Sequence, residues 1–167
     1  MRERDWTNAA PEACDLIEAQ GVTVRCLAPG GATLISGDLD AAVAVLAPGA
    51  PMIGLLEQIP DGPFALRIAR DRALLCTQEP LDVSPGWHEI FALSPADDLY
   101  VPFEIAGEEA EALRNSCMSA QAGSLSAMTL FGGKECLVTR ARTAIRVWIP
   151  RSETAELWTR LRVLSGV

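Results

Sequence analysis

The single histidine, His88, is the side chain best suited to proton transfer or metal binding near neutral pH. A hydrolase would need His88 as its base, beside a serine or cysteine nucleophile and an orienting carboxylate. The chain contains neither a Gly-x-Ser-x-Gly motif nor a comparable cysteine signature. His88 lies between Trp87 and Glu89 at the predicted entrance of a strand, where histidine is more often an edge or interface residue. We therefore predict no catalytic residue.

Paired carboxylates and cysteines give no better site. Asp97 and Asp98, like Glu108 and Glu109, are adjacent in the chain, and adjacent side chains point in different directions and cannot converge on one bond. The five cysteines have no Cys-x-x-Cys spacing, which argues against a disulfide framework or a zinc site and favours buried thiols. We expect no bound metal. The cysteines are Cys14, Cys26, Cys76, Cys117 and Cys136.

Length and composition predict one globular domain spanning residues 1–167. The chain is 49% hydrophobic and 22% charged, and its length suits one core better than two. A net charge of −8 leaves no broad basic surface, so we expect no nucleic-acid partner. The N-terminus is charged, and no run approaches the roughly 18 apolar residues of a spanning helix, which predicts a cytoplasmic protein without a membrane partner.

The elements that would position any site are short. A helical N-terminal extension is predicted over about residues 9–20, followed by a core over about 22–165. Alternating residues from Val22 and from Ala32 predict a hairpin across the glycines at 30 and 31. Asp38 should cap a helix with its apolar stripe at Leu39, Ala42, Val43 and Leu46.

Strands and helices alternate in the rest of the chain. Residues 64–68 and 73–77 predict a second hairpin, and Pro102 should place the next strand at a sheet edge or bulge. A helix follows Gly107, a hairpin surrounds the glycines at 132 and 133, and a last helix should begin at Ser152, whose hydroxyl would cap it. The pattern predicts an α+β domain with about four helices and a mostly antiparallel sheet.

Tryptophan is the most suggestive residue type, because its large side chain suits a core or a protein interface. Trp158 lies on the buried stripe of the last helix. Trp148 alternates with Arg146 on one face of its strand. We predict that Trp148 and Arg146 belong to an interface, together with Phe103 of the Pro102 strand. The tryptophans are Trp6, Trp87, Trp148 and Trp158.

Several segments resemble the gamma subunit of heterotetrameric sarcosine oxidase. The C-terminal order, a hairpin followed by Arg151-Ser152-x-x-x-x-Leu157-Trp158-x-x-Leu161, is similar to the Arg-Ser helix and Leu-Trp pair that end that family. Similar segments occur upstream, and the resemblance covers about residues 39–161. These upstream segments are Phe64-Ala-Leu-Arg-Ile-Ala-Arg-Asp-Arg-Ala-Leu-Leu75, Asp98-Leu99 and Gly107-x-x-Ala110-x-x-Leu113-x-x-x-Cys117. The chain departs from the family at Ala69-Arg-Asp-Arg-Ala73, which replaces a Gly-Pro-Asp-Glu-Trp-like turn, and it lacks the Asp-Leu that usually follows the helix cysteine.

The resemblance implies the fold of the tetrahydrofolate-binding domains of aminomethyltransferases. It also implies large alpha and beta subunits as partners, in a complex that oxidatively demethylates sarcosine. In that family the flavins, nicotinamide cofactor and folate belong mainly to other subunits, so the resemblance implies no cofactor on this chain and a role in assembly or stability.

The sequence is also compatible with two alternatives. The first is a stand-alone tetrahydrofolate-binding or aminomethyltransferase-like protein, with Glu104 or Glu89 as the carboxylate that would bond the pterin edge. The second is a self-associating protein whose edge strands pair, giving a homodimer when isolated.

Overall fold

The computed structural model describes residues 9–167, which form twelve strands and three α-helices. Trp6 lies outside the described residues. None of the three helices is long and apolar enough to cross a membrane. The strands are β1 (Leu16–Ala19), β2 (Val22–Cys26), β3 (Gly31–Gly37), β4 (Met52–Ile53), β5 (Phe64–Ala69), β6 (Arg72–Thr77), β7 (Gly86–His88), β8 (Phe91–Pro95), β9 (Tyr100–Ala106), β10 (Met128–Phe131), β11 (Lys134–Ala141) and β12 (Ala144–Pro150). The helices are α1 (Leu39–Leu46), α2 (Ala110–Cys117) and α3 (Thr154–Leu164).

The strands form two six-stranded sheets. Sheet 1 has the order β1-β2-β9-β12-β11-β10, and sheet 2 has the order β4-β5-β6-β3-β8-β7. Neighbouring strands are antiparallel except β4 and β5, which are parallel. The predicted α+β class with mostly antiparallel sheets is confirmed.

Three apolar clusters hold the layers together. The first lies between sheet 1 and the helices α2 and α3, and it includes Phe103, Ile145 and Leu157. The second lies between sheet 2 and α1. The third lies between the two sheets, where Leu74 of β6 faces Leu137 of β11. Sheet 1 therefore has an outer face covered by helices and an inner face turned toward sheet 2.

The predicted cap of α1 is confirmed, because the Asp38 carboxylate accepts a hydrogen bond of 3.0 Å from the backbone of Ala41. The predicted cap of the last helix is wrong. Residues Arg151–Glu153 form a 3₁₀ turn before α3, and the Thr154 hydroxyl donates to the Arg151 carbonyl at 2.9 Å. This tighter turn moves the start of α3 beyond Ser152.

The predicted N-terminal helix is also wrong, which reduces the helix number within residues 9–167 to three. β1 occupies this segment and pairs with β2, so that Ile17 lies opposite Val24 and both are buried. Gly21, with φ of 78°, lies at the turn between the two strands. A helix this short is marginal by itself, and pairing with an adjacent strand overrides its local preference.

The hairpin predicted from Val22 to Ile35 does not form, because β2 and β3 lie in different sheets. Alternation shows that each segment is a strand with one buried face, but it does not identify the neighbouring strand. The chain instead crosses from sheet 1 to sheet 2 through residues 27–30. The predicted hairpins β5–β6 and β10–β11 are both confirmed.

Pro102 does not mark a sheet edge, because β9 lies between β2 and β12. The Leu27 amide donates to the Pro102 carbonyl at 2.9 Å, just past the end of β2. In an antiparallel sheet the nitrogen and carbonyl of one residue point to the same neighbour. The missing N–H of Pro102 therefore faces the point where β2 ends, and no bond of the β2–β9 ladder is lost.

Candidate functional site in the cleft between the sheets

A cleft of about 540 Å³ opens between the inner faces of the two sheets. Its walls come from the crossing segment 27–30, the loop 61–63 and the strands β3, β5, β6, β9 and β12. A second depression of about 480 Å³ shares Asp61, Phe64 and Arg146 with it, so the two form neighbouring parts of one opening. A cleft of this size could hold a small molecule or a protruding side chain of another protein.

Strand register places the polar groups of the cleft. Arg146 of β12 lies opposite Glu104 of β9, and both side chains point toward sheet 2. An Arg146 Nη atom donates to a Glu104 carboxylate oxygen, and the two side chains are 25% and 29% exposed. The two opposite charges largely compensate each other on the cleft wall.

Thr139 lies beside this ion pair, opposite Arg146 on β11. Among the described residues, neither the buried Thr139 hydroxyl nor the buried Arg146 Nε has a hydrogen-bond partner. Unpaired buried polar atoms are costly in the absence of water.

The floor of the cleft is aromatic and apolar. Trp148 is only 7% exposed and meets Phe64 edge to face. Tyr100 lines the same opening, and burial, together with the nearby Cys136 and Glu135, raises the pKa of its phenol above the usual value. Its hydroxyl thus remains protonated at neutral pH and can donate a hydrogen bond.

The cleft is better suited to binding than to catalysis. Burial raises the pKa of the Cys76 thiol to about 12, so this lining cysteine is not an activated nucleophile. Asp97 accepts a 2.7 Å hydrogen bond from the Ala32 amide and thereby positions the start of β3. Within residues 9–167, no group of three or more His, Cys, Asp or Glu side chains could hold a metal ion.

The other sequence candidates lie apart from the cleft walls. The His88 ring stacks on Phe91 with centroids 5.8 Å apart, and its Nε2 lies 2.7 Å from the Ser84 carbonyl oxygen. Glu89 occupies an exposed turn with φ of 60°. Of the two carboxylates considered for a pterin, only Glu104 lines the opening.

The three residues predicted for an interface do not lie together. Phe103 points to the helix side of β9, is fully buried and meets the ring of Trp158 with centroids 5.2 Å apart. It belongs to the interior because alternate residues of a strand face opposite sides. Arg146 and Trp148 line the cleft, so these two are the members of the predicted set that another molecule can approach. Their interface role stays a prediction.

Sequence reasoning missed the loop that borders the opening. Residues 60–63 read Pro-Asp-Gly-Pro, which are turn-forming residue types, and Asp61 lines both parts of the cleft. This composition could have indicated a loop between β4 and β5. It could not have shown that the loop borders a cleft, because the other walls come from distant parts of the chain.

Comparison with known proteins supports the fold. No protein-family model and no curated protein sequence matches the chain. A chain of the heterotetrameric sarcosine oxidase from Corynebacterium sp. U-96, solved in complex with pyrrole 2-carboxylate, is similar in structure with a TM-score of 0.72. The match covers 92% of this chain and 88% of that chain at 15% sequence identity. The chain therefore has the fold of a chain of that enzyme over nearly the full length of both, in agreement with the resemblance seen in the sequence.

Proposed function

We propose that this chain is a non-catalytic, gamma-like accessory subunit of a heterotetrameric sarcosine oxidase-type flavoenzyme in the cytoplasm. The observation that carries the proposal is the extent of the structural likeness, which includes 92% of this chain and 88% of the matched chain. A shared fold does not by itself imply a shared function. Here the sequence resemblance at the C-terminus adds a second line of support.

The segment with that resemblance has a clear structural role. The hairpin β11–β12 leads through Arg151–Glu153 into α3, whose Leu157, Trp158 and Leu161 pack on sheet 1. The Arg-Ser and Leu-Trp pattern therefore corresponds to the junction and buried face of a helix that completes the core. Such a pattern supports a common fold and assembly more directly than a shared reaction.

The test is purification of the tagged chain from its native organism, with bound proteins identified by mass spectrometry and flavin absorbance measured in the eluate. We expect large alpha-like and beta-like subunits of a flavoenzyme in fixed ratio to the tagged chain. Deleting the gene should lower the amount or stability of the assembled enzyme, and a plasmid copy should restore it. A chain that elutes alone and colourless would contradict the proposal.

A second candidate, a tetrahydrofolate-binding protein, is favoured by one observation. The cleft combines the aromatic floor at Trp148 and Phe64 with the Glu104 carboxylate on its wall. Arg146 engages one oxygen of Glu104, so the other oxygen is the one available to a pterin edge. Calorimetry with tetrahydrofolate tests this candidate, with Glu104→Gln as the matched variant. Heat that is absent from both proteins would rule it out, and equal heat from both would exclude Glu104 from the site.

A further inference from the structure

The inner face of sheet 2 is only partly covered by sheet 1. On β5 and β6 that face carries Leu66 and Leu74, which are fully buried against sheet 1. On β3 it carries the half-buried Leu34, and on the edge strand β7 it carries Trp87, which is 73% exposed. Burial thus decreases steadily from the centre of the molecule to the β7 edge.

The uncovered residues form one continuous surface, which we call the shelf. Strand register places Trp87 opposite Ala92, Ala92 opposite Ser36, and Ser94 opposite Leu34, all on the inner face. The shelf consists of Leu34, Ser36, Trp87, Ala92 and Ser94. None of these residues is charged, and Arg72, opposite Ser36 on β6, borders the shelf at its inner end.

The uncovered part of sheet 1 has a different composition. Its inner face on β1 and β2 carries Leu16, Glu18, Thr23 and Arg25, all exposed, so that three of the four residues are polar or charged. Charged and polar residues are expected where an antiparallel sheet faces water. An exposed tryptophan beside leucine, alanine and serine is instead the composition of a surface that becomes covered.

Trp87 lies on a hairpin whose turn is anchored on both sides. His88 stacks on Phe91 and contacts the Ser84 carbonyl oxygen, while the Asp38 amide donates to the Ile90 carbonyl at 3.0 Å. These contacts hold both ends of the β7–β8 turn. Tryptophan side chains often dominate the binding energy of interfaces.

A groove of about 370 Å³ continues the shelf along residues 94–99. The exposed Leu99 lies in it. At its rim, Asp97 is half-buried and bonded to the Ala32 amide, whereas the Asp98 carboxylate is 96% exposed and 3.6 Å from an Arg151 Nη atom. Glu89 adds a second exposed carboxylate at the hairpin turn. A second copy of this chain would bring the same carboxylates and a further net charge of −8, which disfavours self-association. Charge complementarity favours a different chain with Lys or Arg beside its apolar side chains.

We propose that the shelf is the docking surface for an apolar segment flanked by basic residues on a large subunit of the flavoenzyme. The inference rests on the proposed accessory function and deepens it by assigning the contact to Trp87 and the groove beside it. Within residues 9–167 no strand pairs with the outer edge of β7, which adjoins the same surface, so the partner segment can also bond to backbone groups there.

The test measures binding of this chain to the purified large subunits, co-expressed without it. Trp87→Ser should weaken binding by about 10-fold or more, as expected for a tryptophan at the centre of an interface. Val163→Ser is the matched control, because Val163 is 71% exposed on α3 and lies away from the shelf. The control should bind within about twofold of wild type. Both variants should keep the wild-type melting temperature because both side chains are exposed.

Two further measurements identify the occupant. Binding should weaken as the salt concentration rises, because dissolved ions screen the attraction between exposed charges, with a screening length of about 10 Å at 0.1 M salt. In a Trp6→Phe background, fluorescence emission should shift to shorter wavelength on binding when Trp87 is present but not when Trp87→Phe is added, because Trp148 and Trp158 are already buried.

The outcomes separate the two proposals. If wild type binds the large subunits and Trp87→Ser binds equally well, the docking surface is wrong and the accessory function stands. If wild type does not bind them, the accessory function and the docking surface fall together. If the isolated chain dimerises and Trp87→Ser abolishes the dimer, the occupant is a second copy and the inference is overturned.

Discussion

Phe64 of β5 and Trp148 of β12 meet edge to face across the space between the two sheets, with ring centroids 5.9 Å apart and planes inclined by 71°. Both rings also line the cleft. The pair therefore links the two sheets and forms the cleft floor at the same time. Changes at these positions should affect stability and the shape of the cleft together.

Truncation of this pair should be costly. We expect Trp148→Ala and Phe64→Ala each to lower the free energy of unfolding by about 3–5 kcal/mol, because each leaves a cavity between the sheets. Urea denaturation of both single variants and the double variant should give a coupling free energy of about 0.5–1.5 kcal/mol between the two rings, as for other aromatic pairs. If the losses of unfolding free energy in the two single variants simply add up in the double variant, a direct contact is contradicted. Any association test at this position should use Trp148→Phe, which retains most of the buried volume.

Acid stability should depend on Glu111. Hydrogen bonds from Arg140 and then Arg114 lower the pKa of the Glu111 carboxyl below its usual value. A lowered folded-state pKa contributes stability above the unfolded-state pKa, near 4.5, and that contribution is lost as the pH falls further. Between about pH 7 and pH 3, the melting temperature of Glu111→Gln should therefore fall less than that of wild type.

Glu108→Gln is the matched control for that experiment, because it removes an exposed carboxylate and leaves the bonds of Glu111 intact. The melting temperature of Glu108→Gln should decrease with falling pH as much as that of wild type. If the melting temperatures of both variants fall equally little with pH, then general charge repulsion, rather than the Glu111 ion pairs, governs acid unfolding.

Gly31 should not tolerate a side chain. A Cβ atom at this position would lie 2.1 Å from the Glu79 carbonyl oxygen, which is backbone and cannot rotate away. We expect Gly31→Ala to lower the free energy of unfolding by about 1–3 kcal/mol through overpacking, measured in urea. At Gly62 a Cβ would have no neighbour within 4 Å, so Gly62→Ala should change stability by less than about 0.5 kcal/mol. Equal effects at the two positions would contradict the close approach at Gly31.

Thiol reactivity should distinguish one cysteine from the others. Burial raises the pKa of Cys76 and Cys136 to about 12 and that of Cys26 and Cys117 to about 11. Thiols react as thiolates, so a thiol reagent at pH 8 should titrate the exposed Cys14 rapidly, the partly exposed Cys76 slowly because of its raised pKa, and the three buried cysteines only on unfolding. Cys14→Ser should remove the fast phase, and a fast phase that persists would place a second thiol at the surface.

These raised thiol pKa values also have a consequence at high pH. The folded state holds its thiol protons where the unfolded chain, with a pKa near 9.0, releases them. Stability should therefore be constant with respect to these groups below about pH 9 and decrease as the pH rises above it. Between pH 8 and pH 10.5, the melting temperature should decrease less with rising pH in Cys136→Ala than in wild type.

Local patterns in the sequence determined most of the elements. The alternation of Phe64, Leu66 and Ile68 identified β5, and the Asp38 cap with its 3, 4 spacing identified α1, because both features depend on neighbours within a few residues. The α+β class followed from counting such elements. The resemblance at Arg151, Ser152, Leu157 and Trp158 also came from the sequence, and it led to the fold that the structural comparison supports.

Only the tertiary structure decided which strands are neighbours. Ile17 pairs with Val24 as a strand although its segment has a helical pattern, and β2 and β3 separate into different sheets although their sequence suits a hairpin. The burial of Phe103, the cleft at Trp148 and the exposure of Trp87 follow from that arrangement. The physical reason is that alternation specifies a buried face and not the partner strand, whereas burial depends on contacts between residues far apart in the chain.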